Sequence, residues 1–591
     1  MRSFQFFKTL SLGLSILLII SSCSSSESPS NNTASATDGK IVQYLSAEPK
    51  SLNPFTRKDA NAKFVINHLH APLIDLDYFN YELVPILAKE LGTVEKQDDG
   101  TVLISMEIRP EAQWDNKEPI TGKDVAFSLK AMNVPQVDNK QLRPYFDKII
   151  NVVVDENNPK AFTLVFSEPY FIMQDALTDL AIIPAYVYDA DGILENYTVA
   201  QLTAGGDALD DDAKLIQFAE EFNAPKFDRE VIIGAGAYRF DSWPTSERIT
   251  IVKKEDWWGA SLKGVNHWFD NRAEKIVYEI INDPTTAIVA LKGGKIDAMY
   301  RMTPKTFVED FMDDLETQEK FYAETPTQFL YSYIGLNMKL EKLTDVNTRK
   351  GLRSTMDSEA FGSTVFYGLA EPVNSFIHPS KKEFINPEVP FPAQDLEKAM
   401  EYFTAAGWTD SNSDGILDKE IDGEVVNLSL ECLYQSSAKT TEAGVLMFQE
   451  FAKKIGVIIE PRGLEFSVML ERLKAHDFEI YFGIWGSSPL ESDPKQIWHT
   501  DSYNGGSNYV GFGNERSDEL LEQLRTELDR DERAKIYYEV QQIIHDECPY
   551  IFMNATKNRV AISKKFSNVQ STGVNPGFFV AGLQSVDVVA N

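Results

Sequence analysis

Oxygen-bearing side chains recur at alternate positions in the segment DSNSDGILD, residues 410–418. This spacing is typical of a calcium loop, in which alternating oxygens wrap one ion and a glycine, here Gly415, permits the sharp turn. The twelfth position holds Ile421, so the usual bidentate glutamate is absent unless Glu420 or Asp422 replaces it. Such segments also form metal-free turns, and both interpretations stay open, with a structural role in either case. The predicted ligands are Asp410, Asn412, Asp414, the carbonyl of Ile416, and Asp418.

Motifs for catalysis are missing from the sequence, which has no GxSxG, HExxH, Walker A or CxxC pattern. The segment GAGAYRF, residues 234–240, begins like a dinucleotide fingerprint but lacks the third glycine, so we predict a turn that enters a strand. His68 and His70 alternate with Leu69, so that on a strand they would share one face. Without a third ligand we expect them to be packing or surface residues. The sequence therefore predicts no enzyme and no required cofactor.

The elements that must position a binding site alternate between strand and helix from residue 427 onward. Five segments give a βαβαβ order, the pattern of an open α/β sheet: VNLSLECLY, EAGVLMFQEFAKKIG, VIIEPRGL, FSVMLERLKAHD and FEIYFGIWG. A similar unit, EKIVYEII, PTTAIVALKGG and IDAMY, occurs earlier in the chain. Two such units suggest two lobes with a cleft between them. Ligands bind beyond the carboxyl ends of strands in such sheets, which directs attention to the loop after FEIYFGIWG.

The segment WDNKEPITGKDVAFSLK, residues 114–130, combines a tight turn with a helix start. Asp, Asn and Pro favour the turn. Thr121 can cap the helix, with Asp124 three residues later in the first turn. We predict a structural hairpin-to-helix unit without chemistry of its own.

The N-terminus reads as an export signal. Arg2 and Lys8 precede an apolar stretch, residues 10–20, that is too short to span a bilayer. The following IISSC has the form of a lipobox, in which cleavage before Cys23 exposes a cysteine that receives lipid; the alternative is an ordinary secretory signal with a chance cysteine. Residues 1–22 are thus the predicted signal peptide. The Ser- and Asn-rich residues 23–39 are a predicted flexible tether.

The net charge of −32 disfavours binding to nucleic acid and to anionic lipid headgroups. With Cys23 assigned to lipid, Cys432 and Cys548 remain. They could form a disulfide in an oxidising compartment or be two buried thiols, and we favour unpaired thiols.

Many segments, in order, resemble one protein family. They include LVPILAKELG, the hairpin-to-helix unit, GAGAYRFDSW with DWWG, LKGGKIDAMY, YIGLNMK, AAGW, KKIGV, FEIYFGIWG and NYVGFGN with CPYIFM. The chain resembles the extracellular solute-binding proteins of family 5, which serve bacterial ABC importers and include dipeptide-, oligopeptide- and nickel-binding members. The resemblance implies an α/β, two-lobed periplasmic-binding-protein fold of the large, type II-like kind, with a ligand cleft between the lobes.

The resemblance also implies an organisation and a function. Lobe one would span residues 40–325, with 556–591 returning to it, and lobe two residues 326–555. The expected protein is a monomeric, lipid-anchored substrate-binding protein in the cell envelope, on the periplasmic or extracellular face. It would capture a peptide or similar solute and deliver it to an ABC permease with its ATPase. Alternatives are a sensor or scaffold lipoprotein of the same fold, and a surface hydrolase.

Carried over from the family, the ligand contacts lie around Trp485, whose indole would form an apolar wall of the cleft; the alternative is plain core packing. Dipeptide binders carry an aspartate shortly after this tryptophan for the ligand's α-amino group. Here Ser487 and Ser488 stand near that position, and the arginine expected for the ligand carboxylate is absent from YQSSAKT. We therefore expect longer peptides, held by main-chain hydrogen bonds, or another solute. The predicted ligand-binding residues are Trp485, Gly483, Ser487, Ser488, Glu491, Asp493, Gln435, and Ser51 and Asn53 of the SLNPF loop, which would face Trp485.

Overall fold

Three β-sheets of four or more strands organise the described part of the chain, residues 39–57 and 59–586 of the computed structural model. The first sheet has the spatial order Tyr238–Ser242, Arg248–Lys253, Lys275–Ile280, Lys40–Leu45, Ala298–Met299, Val560–Ser563, Phe321–Glu324. The second has the order Thr93–Lys96, Val102–Glu107, Ala161–Phe166, Ile149–Val154. The third has the order Ile458–Leu464, Ser429–Gln435, Ile480–Gly486, Leu330–Leu336, Tyr550–Phe552. We call residues 39–57, 59–324 and 560–586, which build the first two sheets, lobe one, and residues 330–552, which build the third sheet, lobe two.

Short strand pairs and helices surround these sheets. The pairs are Ala71–Pro72 with Ala181–Ile182, Ile74–Leu76 with Leu83–Pro85, Ala370–Pro372 with Asn554–Thr556, Asp418–Ile421 with Glu424–Asn427, and Phe566–Ser567 with Gln584–Ser585. The α-helices are Ala60–Leu69, Gly122–Asn133, Met173–Ala176, Ala185–Tyr188, Val199–Ala204, Asp207–Asp210, Ala213–Phe222, Pro225–Arg229, Pro284–Lys292, Pro304–Phe307, Leu315–Lys320, Val346–Thr355, Ser358–Val365, Leu396–Ala405, Lys439–Lys453, Phe466–Lys474, Lys495–Trp498, Glu515–Thr526 and Arg530–Glu547. Within residues 39–57 and 59–586, none of the helices has the length and apolarity that crossing a bilayer requires.

The third sheet contains the βαβαβ unit that the sequence predicts. Strand Ser429–Gln435 pairs in parallel with Ile458–Leu464 and with Ile480–Gly486. Helices Lys439–Lys453 and Phe466–Lys474 connect these strands. The helix Lys439–Lys453 buries an apolar stripe, Val445, Phe448 and Ala452, as its 3.6-residue pattern requires. The prediction of an open α/β sheet in this part of the chain is confirmed.

The earlier unit is also present, in the first sheet. Strand Lys275–Ile280, helix Pro284–Lys292 and strand Ala298–Met299 follow one another, and Lys40–Leu45 lies between the two strands, parallel to both. Such parallel strands are covered on both faces and are accordingly apolar. Most side chains of Lys40–Leu45 and Lys275–Ile280 are buried or nearly so.

The chain passes between the first and third sheets twice. Strand Phe321–Glu324 belongs to the first sheet and Leu330–Leu336 to the third. On the return, Tyr550–Phe552 belongs to the third sheet and Val560–Ser563 to the first. The two linking segments lie side by side: the amide of Gln328 donates to the carbonyl of Thr556 at 2.9 Å.

The hairpin-to-helix unit has the predicted form. Thr121 caps the helix Gly122–Asn133, and its side chain and that of Asp124 form a capping box. The Asp124 carboxylate also accepts a hydrogen bond from the indole Nε1 of Trp114, at 3.0 Å, and this indole is buried. One carboxylate therefore fixes the turn, the helix start and the tryptophan together.

The two N-terminal histidines do not lie on a strand, and both are packing residues: His70 is buried and His68 contacts the Tyr238 ring. His68 lies in the helix Ala60–Leu69 and His70 is its C-cap residue, because Asp59 caps a helix there. Gly236 packs closely against the end of this helix, because it has no side chain. A Cβ at this position would lie 2.3 Å from the carbonyl oxygen of His68. As predicted, this glycine-rich turn enters a strand, Tyr238–Ser242.

We expect Asp124→Ala to lower the free energy of unfolding by about 2–3 kcal/mol. The substitution removes the capping carboxylate and leaves the buried Trp114 indole N–H without an acceptor. Chemical denaturation measures the change. Lys123→Ala, at an exposed neighbouring position, is the matched control and should change stability by less than about 0.5 kcal/mol. Equal effects of the two substitutions would contradict this role of Asp124.

Candidate functional site

A cavity of about 610 Å³ lies between the two lobes. This volume is within the range of sites for small molecules, about 300–1,000 Å³. Lobe one contributes Asn80, Tyr81, Glu82, Leu83, Leu91, Val94, Phe171, Met173, Gln174 and Asp175. Lobe two contributes Ser380, Lys381, Glu383, Phe384, Pro489, Leu490, Glu491, Leu528, Arg530 and Arg533. Because both lobes supply walls, a molecule in this cavity would contact both at once.

The loop after strand Ile480–Gly486 reaches the cavity through Pro489, Leu490 and Glu491. Glu491 accepts two hydrogen bonds from Arg533, from Nε at 2.9 Å and from Nη2 at 2.5 Å, and both side chains are nearly buried. This bidentate pairing neutralises the carboxylate. Glu491 therefore lines the cavity with its charge already compensated.

Asp493 connects the two lobes. Its carboxylate accepts hydrogen bonds from Arg525 Nε at 2.8 Å and from the hydroxyl of Tyr170, a lobe-one residue, at 3.0 Å. The amide of Phe171 donates to the carbonyl of Arg525 at 3.0 Å. Burial and the nearby Asp493 raise the pKa of the Tyr170 hydroxyl, so this proton stays in place as a donor. These contacts close one side of the cavity.

Trp485 lies in an aromatic stack in lobe two and does not belong to the set of residues that line the cavity. Its ring is nearly parallel to those of Tyr333 and Tyr509, with centroids 6.2 and 6.4 Å away. Its Nε1 donates to the hydroxyl of Tyr550 at 3.3 Å. The side chain is half-buried, so the stack leaves part of it accessible. Gly483 makes room for this stack, since a Cβ there would lie 2.5 Å from the Tyr333 ring.

The other predicted lobe-two residues make local hydrogen bonds outside the cavity lining. The amide of Ser487 donates to the carbonyl of Phe329 at 2.9 Å. Ser488 Oγ accepts from the amide of Leu490 at 3.0 Å, which shapes the loop. Gln435 ends its strand and donates to Ser437 Oγ at 2.8 Å.

Ser51 and Asn53 are buried in lobe one and maintain the shape of their own loop. Ser51 Oγ donates to Asp228 Oδ1 at 2.5 Å and accepts from the amide of Asn53 at 3.0 Å. Asn53 Oδ1 accepts from the amide of Phe55 at 3.0 Å. These bonds hold the loop, while Asn53 Nδ2 is buried without a hydrogen-bond partner among the described residues. Neither side chain belongs to the lining of the cavity that Glu491 lines.

Sequence reasoning missed the charged residues that line the cavity beside Glu491. Burial raises the pKa of the Asp175 carboxyl to about 7, and Glu491 adds to this rise while Lys381 opposes it. Burial lowers the pKa of the Lys381 ammonium to about 8, with Glu491 and Asp175 opposing the fall. Asp175 and Lys381 lie about two hundred positions apart, the first in the four-residue helix Met173–Ala176 and the second in a loop. No local motif marks either of them.

In the acidic loop, residues 410–418, backbone amides donate hydrogen bonds to side-chain oxygens of the same loop. Asp410 accepts from the amides of Asp414 and Gly415, each at 3.0 Å. Asp414 accepts from the amide of Ile416 at 2.9 Å, and Asn412 from that of Asp414 at 2.9 Å. In the described residues, no group of three His, Cys, Asp or Glu side chains has an arrangement that could hold a metal ion. The donor geometry here is that of Asx turns.

The predicted signal peptide, Cys23 and all of the tether except Gly39 lie outside the described residues. Cys432 and Cys548 are both buried and free.

Comparison with known proteins identifies the family. The family model described as "Bacterial extracellular solute-binding proteins, family 5 Middle" matches residues 82–507. The chain belongs to this family of bacterial extracellular solute-binding proteins. The resemblance read from the sequence is therefore confirmed.

Relatives of full length are similar to the chain. The oligopeptide-binding protein AppA of Bacillus subtilis (strain 168) is 27% identical over 578 residues, which covers 94% of this chain and 95% of AppA. The oligopeptide-binding protein OppA of the same organism is 23% identical, covering 91% and 92%.

Solved structures share the fold. AppA from Bacillus subtilis in complex with a nonapeptide has a TM-score of 0.65 at 22% identity, covering 93% of this chain and 99% of AppA. NikA from Brucella suis in complex with Fe(III)-EDTA has a TM-score of 0.73 at 18% identity, covering 93% and 100%. The predicted two-lobed α/β fold is confirmed.

We expect Trp485→Ala to lower both stability and affinity for an oligopeptide ligand. The free energy of unfolding should fall by about 2 kcal/mol, less than the 3–5 kcal/mol of a fully buried aromatic, because the ring is half-buried. Affinity should fall by a few kcal/mol if the accessible face is a central contact. Denaturation and titration calorimetry measure the two quantities. Unchanged affinity would remove Trp485 from the ligand site.

Calcium at millimolar concentration should raise the melting temperature if the acidic loop holds an ion, because binding only to the folded state stabilises it. Asp414→Ala should then abolish the increment, while Glu424→Ala, at an exposed carboxylate beyond the loop and its candidate ligands, should retain it. Differential scanning fluorimetry with and without a chelator measures the shift. No calcium effect in the parent protein would assign the loop to its metal-free Asx turns.

Proposed function

We propose that this protein is the substrate-binding component of an ABC importer, which captures a peptide between its lobes and delivers it to a membrane permease. The observation that carries this proposal is the cavity of about 610 Å³ whose walls come from both lobes. A two-lobed protein of this kind encloses its ligand by moving one lobe against the other. The names of the similar proteins AppA and OppA, both oligopeptide-binding, favour a peptide as the ligand.

The charges of the cleft favour peptides longer than a free dipeptide. Glu491 and Asp493 stand in the loop where an unpaired carboxylate would take the ligand's α-amino group, but Arg533 and Arg525 neutralise them. Breaking such a buried pair to free one carboxylate is costly. Main-chain hydrogen bonds from an extended ligand need no such exchange.

The same proposal excludes turnover. Family members bind solutes and carry them to a transporter, so we infer that this chain releases its ligand chemically unchanged. A sensor or scaffold role would use the same cavity. Permease and ATPase genes next to this gene would favour the importer, and their absence would favour a sensor.

We further propose that the protein is a monomer held at a membrane of the cell envelope by lipid on Cys23, on its periplasmic or extracellular face. The lipobox-like IISSC and the polar residues that follow support this arrangement. We also propose that the acidic loop at Asp410 can hold a structural calcium ion, with its metal-free Asx turns as the alternative.

Incubation with a defined mixture of tetra- to nonapeptides tests the function. We expect a peptide-dependent rise in melting temperature, which reports binding to the folded state. Mass spectrometry of the retained fraction should recover intact peptides. Cleaved peptides would favour a hydrolase, and neither retention nor a melting shift would contradict peptide binding.

Cys23→Ser should release the protein from the membrane fraction, since a serine cannot receive the lipid. Fractionation of cells expressing the full chain, with immunoblotting, measures the distribution. Ser22→Thr, which keeps the cysteine, should leave the protein membrane-bound. A Cys23→Ser protein that stays fully with the membrane would contradict lipidation at this residue.

A further inference from the structure

The two walls of the cavity differ in how their polar groups are satisfied. On lobe one, Gln174 Nε2 donates to the carbonyl of Gly92, at 3.4 Å, which directs Oε1 away from that bond. This Oε1 is buried and has no hydrogen-bond partner among the described residues. The adjacent Asp175 carboxylate likewise makes no hydrogen bond or ion pair with the residues that the structure describes. Two neighbouring acceptors therefore lack donors on this wall.

The cations of the opposite wall already have acceptors. Lys381 donates to the carbonyl of Leu490. Arg530 pairs with Glu383, and Arg533 with Glu491. These groups influence Asp175 only through space, because none of them bonds to its carboxylate.

The two walls also differ in charge: the lobe-one wall is negative and the lobe-two wall has a net positive charge. The lobe-one residues of the cavity include two carboxylates, Glu82 and Asp175, and no lysine, arginine or histidine. The lobe-two residues include three cations against two carboxylates. A buried acceptor without a donor costs free energy, and this applies to Gln174 Oε1. The Asp175 carboxylate is attracted through space by Lys381, Arg533 and Arg530, but no donor contacts it. A ligand group that is both a hydrogen-bond donor and a cation would satisfy both acceptors.

We propose that the ligand places a protonated amine on the lobe-one wall, with Asp175 as its counter-charge and Gln174 Oε1 as a second acceptor. This inference rests on the proposed peptide-binding function and names the chemistry that the cavity selects. The amine can be the N-terminal ammonium of a peptide or the side-chain ammonium of a lysine. Both sources present the same donors to the same two acceptors.

Three random tetrapeptide libraries distinguish the sources: one with free N-termini, one acetylated and containing lysine, and one acetylated without lysine, arginine or histidine. The protein should retain peptides from the first library, the second, or both, and few from the third. Equal retention from the third library would overturn the amine site while leaving peptide binding intact. No retention from any library would overturn peptide binding and this inference together.

Substitutions then test the two acceptors with one retained, amine-bearing peptide. Asp175→Asn should weaken its binding about ten- to a hundredfold, the usual worth of a hydrogen bond to a charged group. Gln174→Met removes the second acceptor and should weaken binding less than Asp175→Asn does, because the amide oxygen carries no charge. Glu90→Gln, at an exposed carboxylate of lobe one outside the cavity lining, is the matched control and should change affinity less than about twofold. Equal effects of Asp175→Asn and Glu90→Gln would contradict a specific site.

The pH dependence of binding gives a readout that does not depend on any variant. Since the pKa of the Asp175 carboxyl is raised to about 7 by burial, more of it is ionised at pH 7.5 than at pH 5.5. Affinity for the amine should therefore rise roughly tenfold over this interval, and the rise should vanish in Asp175→Asn. The charged groups that share the cavity are Glu82 from lobe one and Lys381, Glu383, Glu491, Arg530 and Arg533 from lobe two.

Lys381 does not mimic this profile. Its pKa is lowered by burial to about 8, so it loses charge mainly above the interval and would favour an amine only at the alkaline end. An affinity that is flat or falls between pH 5.5 and 7.5 in the parent protein would overturn the role of Asp175.

Discussion

The two chain segments that link the lobes are hydrogen-bonded to each other, and the position of the cleft depends on this pairing. The amide of Asn558 donates to the carbonyl of Pro326 at 2.7 Å, and the amide of Gln328 donates to that of Thr556 at 2.9 Å. The Thr556 hydroxyl also donates to the Gln328 side chain at 3.1 Å. The two linking segments are hydrogen-bonded to each other as a short ladder. We therefore expect a rotation of one lobe against the other to take place by bending of this ladder. The residues on either side can remain as rigid as their sheets.

Compensated charge explains how the cleft can hold so many ionised groups at the meeting point of two lobes. Each arginine near the cavity mouth is matched by a carboxylate, as Arg533 is by Glu491 and Arg525 by Asp493. Tyr170 then adds a neutral donor from the other lobe. These ion pairs neutralise their charges without a ligand. The few polar groups that lack a hydrogen-bond partner therefore have the greatest influence on which ligand binds.

The sequence predicted the elements far better than the site. The period of the apolar residues around Val445 and the capping pattern at Thr121 are local, and the structure confirms both. Alternation over the three residues from His68 to His70 could not decide between a strand and the end of a helix, and the structure shows the helix end. Asp175 could not be found from sequence, since its environment comes from Glu491 and Lys381, which only the fold brings near. The family resemblance located the loop that contains Glu491, but it could not reveal that Arg533 forms an ion pair with the Glu491 carboxylate.

The two buried cysteine thiols in the described part of the chain have a practical consequence. Burial raises the pKa of both the Cys432 and the Cys548 thiols, and each side chain is buried. Alkylating reagents and mild oxidants act on exposed thiolates, so these two positions should be inert while the protein is folded. One exposed cysteine introduced on each lobe would then react selectively. A pair of dyes attached to these two cysteines could report the distance between the lobes in single molecules. The protein thus offers a nearly silent background for optical measurements of its own closure.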